Sequence, residues 1–412
     1  MPAPIASWGD GPMTGGSDRA AARSVPGGDV ALPVLVLDER ALENNIAVMA
    51  AYARAHGVAL APHGKTTLAP EVFRRQLAHG AWGMTTASIT QAAVAFGAGA
   101  RRVLVANEVA TALEIRDAIR LLEVEGRELY VLVDSVAGVE LLQETLDAFG
   151  GDAEIGVLVE LGVPAARSGA RDVAAGVEVA RAVATARGLR LAGVEGYEGV
   201  ISSKRTPDAL AAVDAYLADL GRLAEVVIRE ELVRPDRAIV SAGGGKYFDR
   251  AVAVLGPSVA RIGTGAILVL RPGSYVTHDH GFYEAVSPLS GPPDGRHLRA
   301  ALELWAVVLS VPEPGLAIVG FGKRDSSYDI DLPVPLRWVA RASGASAPIA
   351  AEVTGLDDQH CYLRFDPDHP LAVGDRMSFG LSHPCTALDK WRTVLLVDDA
   401  GVVTGEIETA FH

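Results

Sequence analysis

The sequence predicts an α/β fold: a (β/α)8 barrel of the TIM type followed by an antiparallel β domain. Three observations predict it. From about Pro33 to about Ala285, short Val/Leu/Ile-rich runs alternate with Ala-rich amphipathic stretches, the pattern of parallel strands joined by crossover helices. The apolar runs are continuous rather than alternating with polar residues, as strands buried on both faces require. After about Ala285 the helical periodicity fades, and short strands with turn residues between them take over.

In order, the apolar runs are "PVLVLD" (33–38), "VALAPHGK" (58–65), "WGMTTAS" (82–88), "RVLVANEV" (102–109), "LYVLVDS" (129–135), "EIGVLVELG" (154–162), "LAGVEGYEG" (191–199), "RAIVSAGGG" (237–245) and "AILVLRPG" (266–273). Helix-length segments such as "APEVFRRQLAHGA" and "TALEIRDAIRLLEVEG" separate most of them. Eight runs fall between Val58 and Leu270, close to the roughly 250 residues that a closed eight-stranded barrel takes. The run at 33–38 is then surplus. An open doubly wound sheet is the competing architecture, and counting strands does not separate the two. The later stretches "LELWAVVLSVPEPGLAIVGFGKR", "PIAAEVTGLDDQHCYLRF", "LAVGDRMSFGLSH" and "WRTVLLVDDAGVVTGEIE" read as the β domain. The expected division is a flexible tail over 1–30, a barrel over 31–285 and a β domain over 286–412.

The 412 residues carry 49% hydrophobic and 21% charged side chains, which is globular composition with ample core. A net charge of −14 argues against a protein that grips nucleic acid or anionic membrane through bulk charge. No run of 18 apolar residues suggests a membrane helix, and the N-terminus lacks the layout of a signal peptide. Two cysteines, Cys361 and Cys385, are too few for a disulfide framework, so a reducing cytoplasm is the expected setting.

In a parallel barrel, reactive groups sit at the C-terminal ends of strands. Lys65 falls at such an end, as do Ser88, Asn107, Asp134, Tyr197 and Ser241, with Arg167 just beyond one. Lys65 reads either as a surface lysine or as an amine held in a pocket to form a Schiff base with an aldehyde. On an extended strand His63 points the same way as Lys65; it lies against a cofactor or is an inner-layer histidine. "SAGGGKYFD", Ser241 to Asp249, exposes backbone amides that can wrap an anion, or is a plain tight turn. It is not a nucleotide P-loop, because Tyr247 follows the lysine where Ser or Thr is needed. In "SHPCTALDKW", His383 and Cys385 are two apart, so an extended chain places both on one face. Imidazole and thiolate together suit Zn²⁺; the plainer reading is a buried cysteine near an unrelated histidine. The charged, Gly-rich loop "GFGKRDSSYDIDLP" (320–333) reads as structural or as a pocket lid.

"PHGKT", "GVPAARSG", "GVEGYEG", "SAGGG", "RPGSYVTHD" and "HPCTALDKW", in that order and over about Pro33 to Val397, resemble the D-serine dehydratase and D-threonine aldolase family, pyridoxal-phosphate enzymes of the alanine-racemase fold. "GKRDSSYDIDLP" and "HPCTALDKWR" are most similar to bacterial members called amino acid deaminases. The resemblance implies that the first strand packs into the second domain. It implies Lys65 as the Schiff-base lysine, and Ser241 with Gly243, Gly244 and Gly245 at the cofactor phosphate. Tyr197 would lie by the cofactor ring or its hydroxyl, with His63 against the cofactor. Arg167 would reach it from a strand loop, and Tyr275 would line the phosphate or substrate side. His383 and Cys385 would bind a divalent metal. Family aldolases typically show His-x-Asp, suited to Mn²⁺ or Mg²⁺, whereas eukaryotic dehydratases show His-x-Cys with Zn²⁺. The His-x-Cys here implies zinc and a dehydratase that turns a D-β-hydroxy amino acid such as D-serine or D-threonine into a 2-keto acid and ammonia. The alternatives are retro-aldol cleavage to glycine and an aldehyde, a non-catalytic pyridoxal-phosphate carrier, or a racemase. Family members commonly dimerise, so a homodimer is expected.

Overall fold

The computed structural model describes residues 23–149, 154–233, 238–263 and 265–411. All nine apolar runs of the first part become strands. β1 (Val34–Asp38) leads directly into α1 (Glu39–Ala55), because the Asp38 carboxylate accepts the Ala41 N–H at 2.8 Å and caps the helix. The barrel strands and helices then alternate: β2 (Ala59–Leu60), α2 (Pro70–Ala78), β3 (Met84–Thr86), α3 (Ile89–Gly97), β4 (Arg102–Glu108), α4 (Ala112–Leu122), β5 (Glu128–Val133), α5 (Val136–Phe149), β6 (Ile155–Leu161), α6 (Val173–Thr185), β7 (Leu189–Gly196), α7 (Pro207–Arg229), β8 (Ile239–Ala242), α8 (Phe248–Ile262) and β9 (Ile267–Leu270). Every pairing is parallel, in the order β2-β9-β8-β7-β6-β5-β4-β3. The ring closes between β2 and β3 through a His63–Thr85 bridge, with Thr85 N–H donating to Pro62 O at 2.8 Å. The open-sheet alternative is thereby excluded.

Helix α9 (Phe282–Val286) links to the second domain. Its strands are β10 (Leu302–Glu313), β11 (Leu316–Val319), β12 (Val334–Val339), β13 (Ser346–Pro348), β14 (Ala351–Leu356), β15 (Cys361–Phe365), β16 (Arg376–Gly380), β17 (Thr393–Val397) and β18 (Val403–Glu408), with one short helix, α10 (Cys385–Leu388). The surplus strand β1 lies in this sheet, antiparallel to β10 and parallel to β17, so the sheet is mostly rather than wholly antiparallel. Its first four residues, Val34 to Leu37, are apolar because both faces are buried. Leu35 and Leu37 join the main core, while Val34 and Val36 pack with Trp305 and Leu395 on the other face.

The expected tail to residue 30 is corrected at its end, and its first 22 residues lie outside the described residues. Ser24 bridges to Val402, and Val25 is buried with its N–H donating to Gly401 O at 3.0 Å. An apolar Val25 beside the β17–β18 turn gains more from burial than from solvent exposure.

The two domains are tied by a buried side chain. Asn45 on α1 donates to Val276 O (3.1 Å) and Arg299 O (2.7 Å) and accepts from Arg299 N–H (2.7 Å). Asn45→Ala would leave one buried and two part-buried backbone groups without this partner, at a cost of about 2 to 3 kcal/mol. Equilibrium unfolding in urea is expected to show that loss; an unshifted midpoint would mean water replaces the amide.

Candidate active site

A cavity of about 240 Å³ opens at the C-terminal ends of the barrel strands, where the segment before α10 comes down from the second domain. Lys65, His63, Arg167, Tyr197, Gly244, Gly245, His383 and Cys385 all line it. Two sequence expectations about geometry are corrected. His63 and Lys65 are not on an extended strand: His63 caps a single 3-10 turn, Gly64–Thr66, and Lys65 N–H donates to His63 Nδ1 at 3.4 Å. His383 and Cys385 are not on one either. His383 sits at φ +66° and Cys385 begins α10, so a left-handed residue followed by a helical turn aims both into the cavity. A non-glycine residue in that region is strained, and such strain clusters at functional sites.

Lys65 faces open cavity space but is walled by protein. Desolvation is the largest influence on its ammonium and lowers its pKa; the Cys385 sulfur opposes this, while Arg167 and Arg271 add to it. Burial, then Lys65 and Arg271, hold the His63 imidazole well below its ordinary value, so it is neutral. The turn that carries Lys65 is pressed against α2: a Cβ on Gly64 would meet the buried Phe73 ring at 2.5 Å. Arg167 extends over the Tyr197 ring, 5.3 Å from its centroid, within cation–π range. Burial first, and then Glu198, push the Tyr197 phenol up to about 12.

Three expected contacts do not reach the cavity. Ser241 is buried and donates its hydroxyl to Val269 O at 3.1 Å, within the barrel wall. Tyr275 is buried on the α2 side, its hydroxyl accepting from Gln76 Nε2 at 3.0 Å. Gly243 is held behind the cavity wall. The buried Glu198 carboxylate takes the N–H groups of Gly243 (3.1 Å) and Gly244 (2.7 Å), so it already fills part of the amide nest. Gly244 and Gly245 stay at the wall because a Cβ would strike the Tyr197 ring at 2.7 Å or the Tyr283 ring at 2.8 Å. Lys246 is committed elsewhere, donating to Gly199 O and Ser202 O.

The sequence reading missed the cavity floor. Arg271, at the end of β9, is fully enclosed, pairs with Glu195 and donates to Gly196 O at 3.0 Å; burial pushes its guanidinium down to about 10. Arg271 Nε, Glu195 Oε2 and Glu160 Oε2 are buried without protein partners, which is what a floor awaiting a polar ligand looks like. The signal was available: Glu160 and Glu195 are charges inside otherwise apolar strands, which is rare without a function. Burial first, and then Glu108, push the Glu160 carboxyl up to about 8. The folded state therefore keeps a proton that the unfolded chain loses, and this stability declines as pH rises from the unfolded value of 4.5 toward 8. Glu160→Gln mimics the protonated form. It is expected to match the parent's melting temperature near pH 4.5 and exceed it by a few degrees near pH 8.5. A constant difference across that range would refute this.

On the second-domain side, Cys385 Sγ lies 3.2 Å from Thr66 Oγ1 and 3.6 Å from Ser274 Oγ. Burial alone would raise the thiol, but hydrogen bonds from His383, Thr66 and Ser274 lower it overall. The hydrogen bond to Cys385 is the main cause that lifts the His383 imidazole to about 9. Among the described residues no three His, Cys, Asp or Glu side chains converge as a cation site. This pair would thus supply two ligands, one nitrogen and one sulfur, and leave positions open for water and substrate. The donor types suit a borderline-soft divalent ion. An amine lining the cavity, a glycine turn at its edge and unpaired polar atoms on its floor likewise suit pyridoxal phosphate.

Residues 301–397 match the family model described as "Putative serine dehydratase domain". The chain is 30% identical over 401 residues to a 3-hydroxy-D-aspartate aldolase of Paracoccus denitrificans, covering 96% of this chain and 95% of that protein. The crystal structure of D-threonine aldolase from Filomicrobium marinum superposes with a TM-score of 0.78 at 27% identity, covering 95% of this chain and 98% of that one. D-threo-3-hydroxyaspartate dehydratase from Delftia sp. HT23 superposes at 0.75 with 24% identity, covering 94% and 98%. That enzyme has also been solved with a histidine and, two positions on, a cysteine replaced by alanine, the latter in a metal-free form. No described helix is long and apolar enough to cross a membrane.

Proposed function

Because the chain belongs to the D-serine dehydratase and D-threonine aldolase family, and is therefore a pyridoxal-phosphate-dependent D-amino acid lyase of the alanine-racemase fold, we propose that it eliminates water from a D-β-hydroxy amino acid such as D-serine or D-threonine, the dehydrated product then taking up water to give a 2-keto acid and ammonia. One observation carries this reading: the residue after Lys65, Thr66, hydrogen-bonds the sulfur of Cys385, which brings the amine and the His383–Cys385 pair to one cavity, where they would act on adjacent atoms of a bound substrate.

Lys65 would hold the cofactor covalently, Gly244 and Gly245 would border its phosphate, and Arg271 would face it from the floor; His383 and Cys385 would hold a divalent ion, zinc by the softness of the sulfur. Bound, the cofactor withdraws electrons from the substrate's α-carbon, and the ion makes the β-oxygen a better leaving group. Lys65 Nζ, its basicity reduced by desolvation, takes the proton from Cα and holds it. A pKa closer to neutrality suits that role, since the amine must be deprotonated to start. The Thr66 and Ser274 hydroxyls keep Cys385 in its anionic, ligating form. The metal-free form of the Delftia dehydratase cysteine variant supports a metal role for the sulfur.

A second reading, retro-aldol cleavage to glycine and an aldehyde, is favoured by the activity named for the Paracoccus relative. The D and L forms of serine, threonine and 3-hydroxyaspartate, followed for keto acid and ammonia against glycine and aldehyde, separate the two. Keto acid from a D substrate is expected; glycine as the main product would overturn the dehydratase reading.

A further inference from the structure

We infer that Asp329 is the positioning residue of the metal site: it fixes the His383 ring so that Nε2, and only Nε2, is offered to the ion. The inference rests on the metal role of His383 and Cys385 proposed above. Asp329 Oδ2 lies 2.6 Å from His383 Nδ1. A carboxylate at that distance can only accept, so Nδ1 keeps its hydrogen, and when the ring gives up its other proton to an ion the lone pair falls on Nε2. The carboxylate is itself held: Thr386 Oγ1 donates to Asp329 Oδ1 at 2.7 Å. Thr386 follows Cys385 in α10, so the segment that supplies the sulfur also orients the group that orients the imidazole.

This gives the loop at 320–333 a structural purpose. It docks on the ligand segment at several points. Ser382 Oγ donates to Asp331 Oδ2 (2.8 Å), Ser327 Oγ donates to Ser382 O (2.6 Å), and Trp391 Nε1 donates to Asp325 O (2.8 Å). From the barrel side the buried Asp279 accepts the N–H of His383 at 3.1 Å, anchoring its left-handed backbone. Asp279, Asp329 and Asp331 therefore surround the ligand pair with three carboxylates, none of which needs to touch the ion. Both Asp329 and His383 keep partial solvent contact, so the pair adds little to fold stability; its effect is on orientation and ligand basicity. Carboxylates behind ligating histidines carry about 10- to 100-fold in metal affinity.

The test is a cobalt(II) titration of metal-stripped, pyridoxal-phosphate-loaded protein, comparing the parent with Asp329→Ala and Thr386→Val. The readouts are the thiolate-to-cobalt charge-transfer band and competition with a chromophoric chelator. Asp329→Ala is expected to weaken cobalt binding about 10- to 100-fold while leaving the saturated spectrum, the cofactor band and the melting temperature as in the parent. Thr386→Val, which frees the carboxylate and removes the longer contact of the hydroxyl with His383 O (3.3 Å) but keeps Asp329, should weaken it less. Equal affinity in Asp329→Ala and parent would overturn the role. A saturated spectrum changed in its ligand-field bands would also overturn it, by making Asp329 a ligand. A parent that binds no cobalt would sink the metal reading itself, and this inference with it.

Discussion

Lys65→Ala is expected to abolish the near-visible absorbance of bound pyridoxal phosphate and to lower kcat/KM by at least about 10³-fold, since one substitution removes both the covalent hold and the proton acceptor. The fold should survive. Lys65 occupies a three-residue turn anchored by its neighbours: Gly64 packs on Phe73, and Thr66 is buried. A melting temperature near that of the parent would accompany the loss. A variant that kept the band and turned over substrate would show that the amine is ordinary and that cofactor attachment lies elsewhere.

Removal of the divalent ion is expected to lower elimination from β-hydroxy substrates by about 10²- to 10³-fold, because several kcal/mol of leaving-group stabilisation disappear, while the cofactor band is retained. The separation of effects follows from placement. Lys65, Arg271 and the glycine turn come from the barrel, whereas His383 and Cys385 come from the second domain. Zinc should restore the rate, and His383→Ala should reproduce the stripped enzyme even with zinc added. Full activity in metal-free protein would remove the pair from the chemistry.

Much of this was legible before any coordinates. Strands buried on both faces announce themselves as uninterrupted apolar runs, so all nine strands of the first part could be located. Lys65, by its place at a strand end, and the His383–Cys385 pair, by its spacing, each left two readings open, and it was the family resemblance that gave them roles. What failed was local geometry. A period-two argument put His383 and Cys385 on one face of a strand, but the backbone turns left-handed at His383; no composition signal distinguishes that from extension. Ser241 and Tyr275 were placed in the site by motif, yet their hydroxyls are used inside the barrel wall and against Gln76. Gly243 failed for a different reason: a carboxylate 45 residues earlier, Glu198, occupies its amide, and long-range pairings of that kind leave no periodic trace. The buried floor of Glu160, Glu195 and Arg271 could have been found, since a charge inside an apolar strand requires a partner or a task.

The contact between Thr66 and Cys385 spans 319 residues of chain and joins the barrel to the second domain. On the proposed function, the groups that would choose which bond breaks, His383 and Cys385, belong to the second domain, and the group that would grip the cofactor, Lys65, belongs to the barrel, so substitutions around the first pair would change the product without altering the lysine's turn.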